Sequence, residues 1–102
     1  MANKKAALTR ANKAVMIRCH SGVFFAYLVD RRGSEVDVIG SRHVHYWDSS
    51  GLPRKAVTVD DLAILGPGSG SRISGRVSQT LLQVAQVVDC LPEAVKKFES
   101  YP

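Results

Sequence analysis

The sequence predicts one small α+β domain: an antiparallel β-sheet or partly open barrel of about four to five strands, with a short middle helix and a C-terminal helix. Three observations carry that expectation. Residues 14–47 alternate apolar and polar side chains with a period of two, interrupted by turn residues at Ser21-Gly22 and Asp30–Ser34. Thr58 and Gly66 bracket a short apolar run in the way that caps bracket a helix. Pro92 opens a second amphipathic segment that closes the chain.

Taken in order, Ala14–His20 reads as a first strand, with Val15, Ile17 and Cys19 on one face and Met16, Arg18 and His20 on the other. Val23–Asp30 follows the Ser21-Gly22 turn and is too apolar to leave either side to water. The two form a hairpin. Glu35–Ile39 adds a third strand with Val36 and Val38 inward, and Gly40 then interrupts it at a position where glycine commonly marks a bulge. Beyond Gly40 the alternation continues as Arg42, Val44 and Tyr46 against His43, His45 and Trp47. A bulge would exchange the two faces, so either set can point to the core.

Asp48–Lys55 is rich in Ser, Gly and Pro and reads as a loop. Val59–Leu65 reads as a two-turn helix, capped by Thr58, with Asp60 and Asp61 in its first turn. Gly66–Ser71 is a loop of small residues leading to Arg72 and Arg76. In Val77–Leu91 the stripe Leu81, Val84, Ala85, Val88, Leu91 fits a helix, while Leu82, Val84, Val88 and Cys90 fit one face of a long strand. Glu93–Glu99 is helical, with Ala94, Val95 and Phe98 on one side.

Length and charge narrow the functional classes. The chain of 102 residues, 45% hydrophobic, suits a single modest core that gains from homo-oligomerisation. No apolar run spans a bilayer and the N-terminus lacks a signal-peptide centre, so a cytoplasmic protein without membrane contact is expected. Cys19 and Cys90 lack Cys-x-x-Cys spacing and read as two buried thiols. Of the net charge of +5, Lys4, Lys5, Arg10 and Lys13 supply four units. Residues 1–13 are therefore expected to be a basic disordered tail, capable of weak non-specific contact with nucleic acid, and residues 14–102 a nearly neutral folded domain.

Three stretches together resemble an uncharacterised family of small phage-encoded proteins, a domain of unknown function with an Arg-x-x-x-Tyr-Trp-Asp motif. They are Ile17-Arg18 through Ser21-Gly22-Val23-Phe24 to Leu28; Arg42 with Tyr46-Trp47-Asp48; and Leu82–Pro92 followed by a polar helix. The resemblance implies a strand for Leu82–Pro92 and a phage origin, with no chemistry attached. Where relatives usually run Trp-Asp-Gly-Ala-Ala-Ser-Leu, this chain has Trp47-Asp48-Ser49-Ser50-Gly51-Leu52-Pro53, and His45 stands where relatives often place another Trp.

Catalytic signatures are missing. There is no Gly-x-Ser-x-Gly elbow, no Cys-His signature and no P-loop ending after the Gly66–Ser71 glycines, so no enzyme is expected. His43 and His45, with His20 or Cys19, offer two or three zinc ligands where a structural site wants four, so neither metal nor cofactor is expected. What the sequence does concentrate is aromatic and cationic surface. Tyr46 or Trp47 could stack on a base while Arg18, Arg42, Arg72 or Arg76 holds phosphate, with His20 and His45 beside them. The leading expectation is a phage counter-defence protein that binds and sequesters a small, cyclic nucleotide signal in a bacterial cytoplasm. The alternatives are a single-stranded nucleic-acid-binding module that uses the basic tail and the aromatic strand, and a protein-binding inhibitor of a host factor.

Overall fold

A computed structural model describes residues 12–102, so the tail expected over residues 1–13 lies, except for its last two residues, outside the described residues. Asn12 and Lys13 already run beside the second strand. Asn12 Nδ2 donates to the Leu28 carbonyl at 2.6 Å and Lys13 accepts from Leu28 N–H at 3.0 Å.

Six strands and two helices follow the order β1 (Ala14–Cys19), β2 (Gly22–Arg32), β3 (Glu35–Tyr46), α1 (Val59–Leu65), β4 (Arg72–Ile73), β5 (Val77–Leu81), β6 (Val84–Asp89) and α2 (Pro92–Ser100). All pairings are antiparallel, with β6, β1, β2 and β3 side by side and both β4 and β5 hydrogen-bonded to the far edge of β3. The sheet is not closed. The expected α+β class holds, with more strands than expected because Val77–Leu91 is neither one helix nor one strand and because Arg72–Ile73, past the glycine-rich loop, pairs with β3. Gln83 takes φ +54° and turns the chain between β5 and β6, sending them to opposite edges of the sheet. Those edges are tied where Val84 N–H donates to the Ser34 carbonyl at 2.9 Å.

Curling of this kind gives the sheet two cores. One face buries Val15, Ile17, Cys19, Phe24, Ala26, Val36, Val38, Leu81 and Val84 against one another with no helix above them. The opposite face packs Met16, Phe25 and Val44 beneath Val59, Leu62 and Ala63 of α1 and Phe98 of α2. Phe25 and Phe98 stack at 4.6 Å between centroids. The alternation expected for β1 therefore holds, but both of its faces are apolar destinations.

Gly40 sets the phase of β3. Tyr27 pairs with Ile39 and Phe25 with Arg42, so two steps along β2 meet three along β3. The extra residue falls at Gly40, whose φ of +56° suits glycine. Val36 and Val38 accordingly join the helix-free core, whereas Val44 joins the core beneath the helices.

Candidate functional site

The helices follow from local chemistry. Thr58 Oγ1 accepts from Asp61 N–H, and the Asp61 carboxylate accepts in return from Thr58 N–H at 3.2 Å, a reciprocal cap that satisfies the first turn of α1. Asp61 also takes Val57 N–H and the Arg54 guanidinium, both at 2.9 Å, and these donors hold its carboxyl down to about 2. Gly66 ends the helix at φ +77°. A Cβ there would meet Lys97 Cβ at 2.9 Å and the Ala94 backbone at 3.3 Å, so the absence of a side chain lets α1 close against α2.

The capped helix start forms one wall of a hollow of about 430 Å³. Val57 and Thr58 line it from just before α1 and Asp60 from its first turn, Arg18 and Val23 from the hairpin, Gln86 from β6, and Trp47 from just past β3. Trp47 is half-buried among the residues beneath the helices, and its Nε1–H donates to the Ala56 carbonyl at 3.1 Å, which fixes the indole. Along the rim, Arg18 Nε donates to Gln86 Oε1 at 3.4 Å, and Gln86 Nε2 donates to Asp60 Oδ1 at 2.7 Å. Arg18 is exposed, and its terminal guanidinium nitrogens make no hydrogen bond among the described residues.

Arg42 must be removed from the set of ligand cations. It is 2% exposed and lies on the helix-covered face opposite Phe25. Its guanidinium donates to the carbonyls of Ser74 at 2.8 Å, Phe98 at 2.6 Å, Tyr101 at 2.9 Å and Pro102 at 3.3 Å. These bonds hold the end of α2 and the chain beyond it onto the sheet. Burial pulls the Arg42 pKa below its ordinary value, although four carbonyl acceptors keep the charged form well served.

Arg76 is also committed. It pairs with Glu99 at 2.8 Å, and Glu99 in turn accepts from the Tyr27 hydroxyl. His45, Tyr46 and Arg72 line a separate, shallow hollow of about 550 Å³, in which Tyr46 is 54% exposed and faces Arg72 across the β3–β4 ladder. His20 is exposed in the β1–β2 turn. The eight expected ligand residues are thus split between two hollows, a buried clamp, an ion pair and, for His20, an exposed turn.

His43 and His45 lie 3.9 Å apart between ring centroids, and His43 stacks on Phe24 at 4.5 Å. Burial first, and His45 second, lower the His43 pKa. Among the described residues, no three His, Cys, Asp or Glu side chains converge to hold a metal ion. Cys19 and Cys90 are both free thiols, and burial pushes Cys90 up to about 12.

Asp60 and Gln86 carry no sequence motif and were not among the expected ligand residues; only their distance in the chain from Arg18 and Trp47 conceals them. Asp48 is a third unanticipated position. Its carboxylate accepts from Ser50 N–H at 3.3 Å, Ser50 Oγ at 3.0 Å and Gly70 N–H at 3.1 Å, and its carbonyl accepts from Gly68 N–H at 3.1 Å. A Cβ on Gly68 or Gly70 would strike Asp48, which is the packing reason for the glycines in that loop. The Arg-x-x-x-Tyr-Trp-Asp pattern therefore resolves into a clamp, an exposed ring, a pinned indole and a loop tie.

Among the described residues no helix is long and apolar enough to cross a membrane. Neither a curated protein nor a solved structure matches the chain. A family model does match, over residues 12–98, which include β1 to β6, α1 and most of α2. By that match the chain belongs to the family described as Domain of unknown function (DUF6948).

Proposed function

We propose that this protein binds a small nucleotide signal, such as a cyclic nucleotide, in the hollow between Arg18 and Trp47 and sequesters it without chemistry, as a phage counter-defence protein would. One observation carries the reading: an indole fixed by its own hydrogen bond and a guanidinium with uncommitted nitrogens line the same cavity of about 430 Å³. That volume falls within the range of roughly 300–1,000 Å³ common to small-molecule pockets. The indole supplies a surface for a base and Arg18 a cation for phosphate. Sequestration is favoured over turnover because, among the described residues, the one hydroxyl lining the hollow, Thr58, serves as the cap of α1 and no histidine or cysteine lines the cavity to activate a nucleophile. Calorimetric titration against cyclic dinucleotides, cyclic trinucleotides and cyclic ADP-ribose isomers tests the reading. Heat of binding with one class is the expected result, and silence across the panel removes it.

A second reading rests on Tyr46. Its exposed ring opposite Arg72 suits base stacking along a single strand, with residues 1–13 gripping the backbone. Deleting residues 1–13 or replacing Tyr46 by Ala would then abolish fluorescence anisotropy with oligo(dT). The same changes would leave binding of a small nucleotide at Trp47 intact.

A further inference from the structure

The rim of the Arg18–Trp47 hollow has a chemical order. Arg18 is a donor only, the Gln86 amide accepts from it at 3.4 Å and donates onward at 2.7 Å, and the chain ends on the Asp60 carboxylate, which is an acceptor only at neutral pH. Gln86 occupies one lone pair of Asp60 Oδ1, and Asp60 Oδ2 makes no hydrogen bond among the described residues. Asp60 is exposed and has no ion-pair partner among the described residues, although it stands in a chain rich in Lys and Arg. A carboxylate in a nucleotide pocket repels phosphate, so its place there favours a base edge over the sugar-phosphate. The indole lines the same hollow, within which a base stacked on it can turn its edge toward this rim.

We infer that the base taken by this hollow is guanine, read by the Asp60 carboxylate with Gln86 orienting it; the inference rests on the nucleotide reading above. Among the common bases only guanine carries two adjacent donors, N1–H and the N2 amino group, that match the two oxygens of one carboxylate. Its O6 lies next along the same edge, where the second Gln86 Nε2 hydrogen or Arg18 can donate. Adenine and cytosine offer one amino donor beside a ring acceptor, which a carboxylate opposes, and uracil offers one N–H between two carbonyls. Two charge-assisted bonds made together are the stronger and more selective arrangement.

The test compares GMP with AMP, CMP and IMP by calorimetry, with cyclic di-GMP and cyclic di-AMP as a second matched pair, on the wild-type protein and on Asp60→Asn and Asp60→Glu. Guanine ligands are expected to bind about tenfold or more tightly than the others, as one bidentate base contact discriminates. IMP, which lacks the 2-amino group, should fall between GMP and AMP. Asp60→Asn should erase the preference with the thermal midpoint near wild type, and Asp60→Glu should keep part of it. Equal or better binding of adenine or cytosine ligands, or a guanine preference untouched in Asp60→Asn, overturns the guanine inference and leaves the nucleotide reading standing. No binding by any of these ligands or by the cyclic ADP-ribose isomers overturns both.

Discussion

At one end of the helix-covered face, Arg42 is sealed under α2 and gives its hydrogens to four main-chain carbonyls; at the other, Arg18 stands in water beside a pinned indole. Both are arginines on one face of one sheet, and both looked like phosphate ligands in the sequence. The difference is supplied by the chain that returns over them. Residues 98–102 bring a convergence of carbonyls to Arg42, a demand that a planar guanidinium fits and a lysine does not. Among the described residues a single amide, Gln86, reaches the Arg18 guanidinium. A cation's task in a small domain is therefore read from the acceptors that reach it, not from the aromatic residues near it in sequence.

The sharpest way to break this contrast is Arg42→Ala. It strands the carbonyls of Ser74, Phe98, Tyr101 and Pro102 and should cost about 3 kcal/mol, read as a lower urea midpoint, since each unsatisfied buried acceptor costs roughly 1–3 kcal/mol. Arg42→Lys should recover only part of that loss. Nucleotide affinity of the protein that remains folded should not change. Arg18→Ala is the mirror experiment: a loss of roughly tenfold in nucleotide affinity, about 1.4 kcal/mol, with a urea midpoint within about 0.5 kcal/mol of wild type. If Arg18→Ala unfolds the protein or Arg42→Ala spares it, the division between clamp and hollow fails.

Thr58→Ala sharpens the comparison on the hollow's own wall. Loss of the reciprocal cap should cost about 1 kcal/mol of stability and loosen Val57 to Asp60, lowering affinity as well, which calorimetry alongside urea denaturation would separate. The smallest effect is expected from pH. His43 is held below its ordinary pKa, chiefly by burial, so the folded chain resists its protonation. As the pH falls below about 6.5 the unfolded chain gains a proton that the folded one resists, and stability declines. His43→Gln should flatten the fall in thermal midpoint between pH 7 and pH 5.

What could be read from the sequence was what is local. Thr58, Asp61 and Gly66 delimit α1 through contacts no more than a few residues apart, and the first three strands are joined near the expected turns, at His20-Ser21 with Gly22 already in β2 and at Gly33-Ser34 with β2 running on through Arg32. Gly40 announced a bulge, yet the faces on either side could not be assigned until its partners Tyr27 and Phe25 were known. The division of Val77–Leu91 escaped notice because Gln83 adopts a left-handed conformation for which glutamine gives no warning. Likewise, the acceptors that bury Arg42 lie 32 to 60 positions away, and Asp60 meets Gln86 across 26. Of the eight expected ligand residues, Arg18 and Trp47 share a hollow because β1, β2 and the Ala56 carbonyl bring them together, a fact of tertiary packing that no spacing encodes.

The two-residue passage at Leu82-Gln83 has a bearing on synthesis. Because β5 must find Val36–Ser41 while β6 must find Val15–Cys19, the margin on β3 waits for residue 81 and the margin on β1 for residue 89. Until then the helix-free core has no outer strands, and Val15, Ile17, Val36 and Val38 stand uncovered on the nascent polypeptide. Assembly of this domain thus waits for residue 89, and in the interval before it these apolar side chains are open to aggregation.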